Sequence, residues 1–287
     1  MNDHPQSVNS DRPARRWLIT GANSGLGAAF TRAALHRGDT VVAAVRRPET
    51  LSLLARQHPG RLTVVRLDVT DAEQCRQAVG TALEDGGRVD VLVNNAGYGL
   101  VGAVEETTEE ELRDAFEVMF YGAMRLTRLV LPHMRARRSG TIVQVSSMGG
   151  MLAFPGNSAY CAAKGALEQA GEALATEVAP LGIRVLILEP GAFRTEFAGP
   201  ALLASTAIDD YAGTVGVTRA ALAAMHGAQP GDPDKAAHAL LAALDQPDLP
   251  LRLPLGEDAV SAIRAKLAAV AHDLDRTTAL SHGTALS

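Results

Sequence analysis

Short runs of mainly apolar, often β-branched residues recur along the chain and alternate with longer amphipathic segments. The runs are WLIT (17–20), TVVAAV (40–45), LTVVRL (62–67), VDVLV (89–93), TIVQVS (141–146) and RVLIL (184–188). Apolar residues at helical spacing occupy the segments between them, near 25–37, 49–57, 71–84, 107–135 and 158–179. Strands that are apolar on both faces, each followed by a helix, predict a parallel sheet covered on both sides. The pattern therefore predicts a doubly wound α/β fold, whose ligands bind beyond the carboxyl ends of the strands.

The alternation stops after the sixth run. The stretch 192–228 is rich in Ala, Gly and Thr and has no clear strand pattern. Long irregular segments in compact domains are usually lids or binding segments, so we expect this stretch, the lid segment, to cover a substrate. Helical spacing resumes with Asp232 as the predicted N-cap and Pro233 at the first helical position. A short strand at 251–253 and a last helix at 257–274 complete a sheet of about seven strands.

Composition and charge narrow the class of protein. The chain has 287 residues, 47% of them hydrophobic, and a net charge of −5, which offers no basic field to nucleic acid or to an anionic membrane. Two cysteines imply no disulfide framework, and the eight histidines show no metal-ligand spacing. The polar first residues lack a signal-peptide core. We expect a cytoplasmic protein with a disordered arm at 1–14 and a single domain at 15–287.

A glycine-rich loop, TGANSGLG, follows the first predicted strand directly and leads into the first predicted helix. Its glycines permit a tight turn and close approach to a pyrophosphate, while the amides of the following helix face the anion. The motif alone is weak evidence, but its position between strand and helix predicts a dinucleotide site. The residues expected to line this site are Gly21, Asn23, Ser24, Gly25, Leu26 and Gly27.

The end of the second predicted strand indicates which dinucleotide binds. An NAD(H) site requires a carboxylate about 20 residues after the glycine loop, where it binds the ribose hydroxyls. Val45 occupies that place and is followed by Arg46 and Arg47. A guanidinium can bind a 2′-phosphate through paired hydrogen bonds, so we expect NADP(H) with Arg46 as a ligand. The alternative for both arginines is a solvated loop. Asp39, at the other end of the strand, is expected to be a turn residue.

Further motifs stand at the ends of later strands. The fourth strand ends in NNAG, the fifth ends in SS, and the next helix opens with YCAAK. Tyr160 and Lys164 are one helical turn apart and share a face, and Ser147 lies thirteen residues before Tyr160. Together with the glycine loop, this set resembles the short-chain dehydrogenase/reductase family, over about residues 15–255. The resemblance implies a Rossmann-type fold and hydride transfer between a nicotinamide and a ketone or secondary alcohol.

The resemblance also implies the role of each residue. Tyr160 would exchange a proton with the substrate oxygen, Lys164 would lower the phenol pKa and bind the nicotinamide ribose, and Ser147 would orient the substrate. A phenol near pKa 10 must fall by about three units to act at neutral pH, and one cation about 4 Å away supplies roughly that effect. For Asp68 and Val69 a simple turn is the alternative. The other cofactor contacts implied are Asp68, Val69, Asn94, Asn95, Ala96, Gly97, Pro190, Gly191 and Thr195. Of these, Asn94, Ala96 and Gly97 would also brace the sheet.

One position departs from the family pattern. Twenty-five residues after Asn94, where the family ordinarily has an asparagine, this chain has Met119 within FEVMFYG. In the family the main-chain carbonyl of this residue holds a water linked to the lysine, and its side chain supports a distortion of the helix. Methionine keeps the carbonyl but lacks the hydrogen bond. We expect Met119 to be helix core and proton delivery to slow by up to about 100- to 10,000-fold, unless another water route compensates.

Two functions follow from these observations. The first is an NADP(H)-dependent oxidoreductase for an apolar ketone or secondary alcohol, because the predicted pocket segments, 148–156 and the region around Phe193 and Phe197, are rich in Met, Leu and Phe. The rival is a cofactor-binding relative with impaired or non-redox activity, motivated by Met119. Under either function the two longest helices resemble those that pair in family homodimers and homotetramers.

Overall fold

A seven-stranded parallel sheet forms the centre of the computed structural model, which describes residues 13–84, 87–199 and 201–284. The strands are β1 (Arg16–Thr20), β2 (Thr40–Val45), β3 (Leu62–Arg66), β4 (Val91–Asn94), β5 (Gly99–Val101), β6 (Gly140–Val145), β7 (Ile183–Pro190), β8 (Leu202–Ala204) and β9 (Arg252–Leu255). The large sheet has the order β3-β2-β1-β4-β6-β7-β9, while β5 and β8 pair separately. Each of the six apolar runs and the short strand predicted at 251–253 is a strand of the large sheet, so the predicted doubly wound fold is confirmed.

Helices cover both faces of this sheet. The helices are α1 (Gly25–His36), α2 (Ser52–Gln57), α3 (Ala72–Leu83), α4 (Glu109–Phe116), α5 (Gly122–Arg137), α6 (Ser158–Val178), α7 (Val215–Met225), α8 (Pro233–Asp245) and α9 (Glu257–His282). In β1, Trp17 and Ile19 pack in the core layer that contains α1 and α8, whereas Leu18 packs in the layer of α3, α5 and α6. Successive residues of a strand point to opposite faces, so an apolar run is buried on both sides.

Three predicted elements differ from the structure. The single helix expected at 107–135 is divided into α4 and α5 by a π-helical turn, Glu117–Tyr121. The lid segment contains a strand, β8, and a helix, α7, although its sequence showed no clear strand. The strand was missed because it has three residues and pairs with the distant β5, so no local periodicity reveals it. The last helix continues to His282, beyond the predicted end at residue 274.

Three further predictions concerned a helix N-cap, a turn residue and the N-terminal arm, and their outcomes differ. Asp232 caps α8 as predicted, because its carboxylate accepts hydrogen bonds from the amides of Asp234 and Lys235. Asp39 is more than a turn residue: it is buried and accepts from the indole of Trp17 at 2.9 Å. Most of the predicted arm at 1–14 lies outside the described residues. Within the described residues no helix has the length and apolarity to cross a membrane, and no side-chain cluster suits a metal ion.

Candidate active site

The loops that follow β1, β4, β6 and β7 meet at one edge of the sheet and line a cavity of about 610 Å³. Its position agrees with the rule that ligands of open α/β sheets bind beyond the carboxyl ends of the strands. Residues predicted separately for cofactor binding and for proton transfer share this cavity. Those that line it are Ser24, Gly25, Leu26, Asn95, Gly97, Ser147, Tyr160, Lys164, Pro190, Gly191 and Thr195.

The loop between β1 and α1 is packed tightly around its glycines. Gly21 and Gly25 have φ angles of +62° and +50°, a conformation that residues with side chains rarely adopt. A Cβ at Gly27 would lie 2.3 Å from the carbonyl oxygen of Gly21, so glycine is required for α1 to approach the loop. Asn95 holds the loop through its Nδ2, which donates to the carbonyl oxygen of Thr20 at 2.9 Å. The N-terminus of α1 therefore lines the cavity on fixed main chain, as a pyrophosphate site requires.

Residues of the NNAG segment alternate between two roles: Asn94 and Ala96 are bonded to neighbouring strands, whereas the other two line the cavity. Asn94 is buried, and its Nδ2 donates to Thr127 at 3.1 Å and to Gln144 at 3.0 Å. It braces β4 against its neighbours, as predicted, and it is not among the residues that line this cavity. The amide of Ala96 donates to the hydroxyl of Thr20 at 2.9 Å, which ties the segment to the end of β1. Asn95 and Gly97 reach the cavity.

Ser147, Tyr160 and Lys164 meet where β6 ends against the first turns of α6. The Ser147 hydroxyl accepts from the amide of Gly149 at 3.0 Å and lies near enough to Tyr160 to act on the pKa of its phenol. The ammonium of Lys164 donates to the carbonyl oxygen of Val145 at 2.8 Å and lies 5.9 Å from the centre of the Tyr160 ring. Three groups that can exchange or orient a proton are thus held by main chain of the sheet and one helix.

Burial dominates the titration of this group. It raises the pKa of Tyr160 well above the ordinary value for a phenol, and the Ser147 hydroxyl opposes the rise. Burial also lowers the pKa of Lys164 to about 8, with the charge of Glu168 opposing that change. For Tyr160 the effect of burial is the larger one, so the phenol is protonated at neutral pH.

Met119 lies in the core, as predicted, and its helix is distorted even without asparagine. Met119 is 1% exposed, belongs to the π-helical turn and packs in one apolar cluster with Tyr160. Its side chain reaches the position of Gly97, which also lies beside the ammonium of Lys164. An ion pair between Glu117 and Arg125, 2.8 Å long, spans the turn. Packing and this ion pair accompany the widened turn, so a hydrogen-bonding side chain at position 119 is not needed to form it.

The residues predicted to bind the adenosine end lie outside the cavity. Arg46 and Arg47 are exposed after β2, and among the described residues neither has an ion-pair partner. Asn23 donates to the hydroxyl of Thr50 at 3.1 Å, which ties the glycine loop to the segment after these arginines. Two cationic side chains thus stand at the rim of the predicted dinucleotide site.

Asp68 and Val69 fit the turn alternative. The carboxylate of Asp68 accepts from the amide and the hydroxyl of Thr70 at 3.0 and 2.8 Å, the pattern of an Asx turn. Val69 is buried and packs against Gly122 at the start of α5. Neither residue lines the cavity. Both side chains are engaged in holding the loop after β3.

Residues 15–204 match the family model described as short chain dehydrogenase. The chain belongs to the short-chain dehydrogenase/reductase family. It is 42% identical over 245 residues to the oxidoreductase BOA17 of Botryotinia fuckeliana, covering 85% of this chain and 89% of that protein. It is 39% identical over 180 residues to the 3-ketodihydrosphingosine reductase of Bacteroides thetaiotaomicron, covering 63% of this chain and 64% of that protein.

Solved structures of the family agree with this assignment. A short-chain dehydrogenase from Streptomyces avermitilis has a TM-score of 0.91 and 50% identity, over 96% of this chain and all of that one. A short-chain dehydrogenase from Burkholderia cenocepacia in complex with NADP has a TM-score of 0.68 and 26% identity, over 96% of this chain and 98% of that one. The chain is an NAD(P)-dependent dehydrogenase or reductase, and the glycine loop and cavity described above fit a nicotinamide dinucleotide.

A buried ionic network that the sequence did not predict lies behind Ser147 and Lys164. Arg252 of β9 binds Glu168 at 2.6 Å, Glu172 at 2.6 Å and also Glu189. The hydroxyl of Ser146 donates to Glu168 at 2.6 Å. The side chains of Glu168 and Glu189 are 1% exposed, so both carboxylates depend on Arg252 for compensation. The network joins the helix of Lys164 to the strand ends that line the cavity.

The sequence signal for this network was Glu189, a charged residue that directly follows the apolar run 184–188. Glu189 ends the buried strand β7, and Glu168 lies one helical turn after Lys164 on the inner face of α6. Buried carboxylates require a partner, so a cation could have been expected. Its identity could not, because Arg252 is 84 residues from Glu168 along the chain and 63 from Glu189.

The C-terminal region also fixes the segment that follows β7. The carboxylate of Asp258, at the start of α9, accepts from the amide of Ala192 at 2.7 Å. A Cβ at Gly191 would lie 2.3 Å from both carboxylate oxygens, so the loop and α9 touch directly. Beyond them Phe193 and Phe197 line the cavity, as predicted, and the rings of Phe197 and Tyr160 are 5.4 Å apart.

Proposed function

We propose that the protein transfers a hydride between NADP(H) and a ketone or secondary alcohol on an apolar small molecule, with Tyr160 as general acid and base. One observation supports this proposal most: a single cavity contains Ser147, Tyr160, the buried Lys164 and the glycine loop. The hydride belongs to the nicotinamide, which these residues would position against the substrate carbon.

The two hydroxyls would bind the substrate oxygen together. Ser147 and Tyr160 line the same cavity, so a carbonyl oxygen between their hydroxyls could accept from both. The Tyr160 phenol is protonated at neutral pH and could donate its proton to a developing alkoxide in the direction of reduction. Lys164 would restore the proton, since a pKa of about 8 leaves its ammonium mostly protonated at pH 7 and able to donate.

Met119 supports a second candidate, a family member with impaired turnover. Its apolar side chain lies beside the space shared by Gly97 and Lys164, where a polar residue would hold a proton path. Against impairment, the π-helical turn is present and the main-chain carbonyl of Met119 is retained. We therefore favour an active reductase whose proton path uses main-chain oxygen.

Exposed cations support the preference for NADP(H). Arg46 and Arg47 follow β2 at the sheet edge, and Val45 provides no carboxylate for a ribose. A 2′-phosphate would give the two guanidinium groups a partner, whereas NAD(H) would leave them solvated. We assign Arg46 as the principal phosphate ligand.

The wall of the cavity supports an apolar substrate of medium to large size. Apolar side chains dominate the wall opposite Tyr160: Tyr98, Met148, Phe154, Phe197, Val217, Leu222 and Met225. A volume of about 610 Å³ is in the range of drug-sized ligand pockets. The similarity to a protein named 3-ketodihydrosphingosine reductase supports a ketone on a long apolar chain.

The test combines binding and turnover. Fluorescence titration should show tighter binding of NADPH than of NADH to the wild type, and Arg46→Ala should remove most of that difference. A panel of aliphatic ketones of increasing chain length should be reduced with loss of NADPH absorbance. Binding without turnover, followed by turnover in Met119→Asn, would establish the impaired family member instead. Turnover with NADH equal to NADPH would contradict the cofactor assignment alone.

A further inference from the structure

Two side chains on either side of the π-helical turn are joined by an ion pair. Glu117 is the first residue of the turn, Arg125 lies in α5, and their charged groups are 2.8 Å apart. In a regular α-helix, residues eight apart point about 80° away from each other. A π-helical turn takes up one extra residue, so Glu117 and Arg125 are placed like residues seven apart in an α-helix, about 20° from alignment. The ion pair therefore fits the π-helical turn better than an α-helical one.

Arg125 is also fixed to the loop that follows β3. Its Nη1 donates to the carbonyl oxygen of Val69 at 2.6 Å. Val69 in turn packs against Gly122, where a Cβ would lie 2.8 Å from the Cβ of Val69, so the start of α5 is in close contact with this loop. The planar guanidinium can bond both partners at once. Arg125 thus reaches Glu117 from an anchored position.

The π-helical turn also determines which side chain lies near the ammonium of Lys164. A Cβ at Gly97 would be 3.5 Å from the Cγ of Met119 and 3.6 Å from the Nζ of Lys164, so the two side chains approach the same point. Met119 is therefore an apolar neighbour of a buried cation. The other groups around the ammonium are the carbonyl oxygen of Val145, the ring of Tyr160 and the charge of Glu168.

We propose that Glu117 and Arg125 are positioning residues, which hold the π-helical turn and thereby keep Met119 packed beside Lys164. If the turn closed to α-helical geometry, Met119 would rotate by up to about 100° relative to α5 and leave the core. Water would then reach the ammonium, and the burial that lowers the pKa of Lys164 would weaken. A partly exposed ion pair thus acts on a buried lysine through the methionine between them.

Direct titration of Lys164 tests the proposal, because the chain contains only three lysines and the other two, Lys235 and Lys266, are exposed. In protein labelled with ¹³C at the lysine Cε, the NMR signal of Lys164 is the one that Lys164→Met removes. Its pKa should be about 8 in the wild type. The pKa should rise by roughly one unit in Arg125→Met, which loses both bonds, and by less in Glu117→Gln.

The signs of these shifts separate positioning from a direct effect of charge. Acting through space alone, loss of the Arg125 cation would raise the pKa of Lys164, whereas loss of the Glu117 anion would lower it. Loss of the turn raises the pKa in both variants. The double variant should resemble Arg125→Met, because the two substitutions break the same pair.

A matched control is the exposed pair of Arg113 with Glu109, which lies in α4 before the turn. Arg113→Met should leave the pKa of Lys164 unaltered, and unchanged signals of Lys235 and Lys266 show that each variant is folded. If Arg125→Met does not fold, Glu117→Gln decides alone, because its side chain is 37% exposed and the substitution keeps its shape.

The consequence for turnover rests on the proposed function, in which Lys164 restores the proton of Tyr160. In an active enzyme, the decline of kcat with pH should move upward together with the pKa of Lys164. Since the NMR titration needs no turnover, the two proposals can fail separately. A lowered pKa in Glu117→Gln, or an unchanged pKa in both variants, would overturn the positioning role.

Discussion

The cavity has two walls that are built differently. One wall is formed by Ser147, Tyr160 and Lys164, and we call it the catalytic wall because we propose that it transfers the proton. It is held by main-chain hydrogen bonds at the end of a buried strand and by the first turns of α6. The lid wall belongs to the lid segment, where Val217 is 61% exposed and Met225 is 37% exposed. It is attached by the three-residue pairing of β5 with β8 and by a few polar contacts.

The difference separates chemistry from substrate choice. Proton transfer requires geometry fixed to a fraction of an ångström, which elements of a sheet and a long helix provide. Substrate choice tolerates a looser surface, and loops placed on a rigid scaffold commonly supply it. We therefore expect substitutions in the catalytic wall and its support to change turnover or stability, and substitutions in the lid wall to change substrate affinity.

The largest effect should come from removing the phenol hydroxyl. Tyr160→Phe keeps the buried ring but loses the proton donor, so kcat should fall by about 100- to 10,000-fold while NADPH binding stays unchanged. Steady-state kinetics and fluorescence titration measure the two quantities. Phe197→Leu is the lid-wall control, because the Phe197 ring packs edge-on against the Tyr160 ring from the lid segment, and it should change KM more than kcat. Comparable loss of kcat in both variants would end the distinction between the walls.

The support behind the catalytic wall should show the next largest effect. Arg252→Met leaves the buried carboxylates of Glu168 and Glu189 without their cation, and the free energy of unfolding should fall by about 3–5 kcal/mol. Urea denaturation at pH 7 measures it. Glu172→Gln is the matched control, since its side chain is 42% exposed, and it should cost less than about 1 kcal/mol. Equal losses in both variants would show that burial of the network does not matter.

A smaller effect is expected from loosening the lid segment. Arg219 of α7 donates to Glu106 at 2.9 Å and to the carbonyl oxygen of Ser205 at 2.9 Å, which fastens the lid segment to the loop after β5. Arg219→Met should raise KM for an apolar ketone by about tenfold with little change in kcat, because binding is lost equally from ground and transition states. The exposed pair of Arg113 with Glu109 offers the control Arg113→Met, which should leave both constants unaltered.

The pH dependence should give the smallest but most specific change. If reduction requires protonated Lys164, kcat should decline as pH rises through about 8, the pKa to which burial lowers this lysine. The charge of Glu168 raises that pKa, so Glu168→Gln should move the decline to lower pH. A pH–rate profile of both proteins tests the sign. If kcat of Glu168→Gln declines at the same pH as kcat of the wild type, the decline reports a group other than Lys164.

Much of the catalytic wall was predictable because its signals are local. Tyr160 and Lys164 share one helix, the glycine loop joins consecutive elements, and each strand is visible as an apolar run. The polar contacts of the lid segment and the partner of Glu168 were not predictable, because their pairs lie far apart along the chain. The π-helical turn around Met119 also has no local signature, since the run reads as ordinary helix core.

The sequence alone determined the doubly wound fold and the shared helix face of Tyr160 and Lys164, because periodicity and fixed spacing act within one or two neighbouring elements, and the family resemblance added Ser147 to them. Tertiary structure alone decided that Arg252 compensates the buried carboxylates and that Asp258 holds the segment after β7. A buried polar group must find a partner, and which residue becomes that partner depends on how distant segments pack.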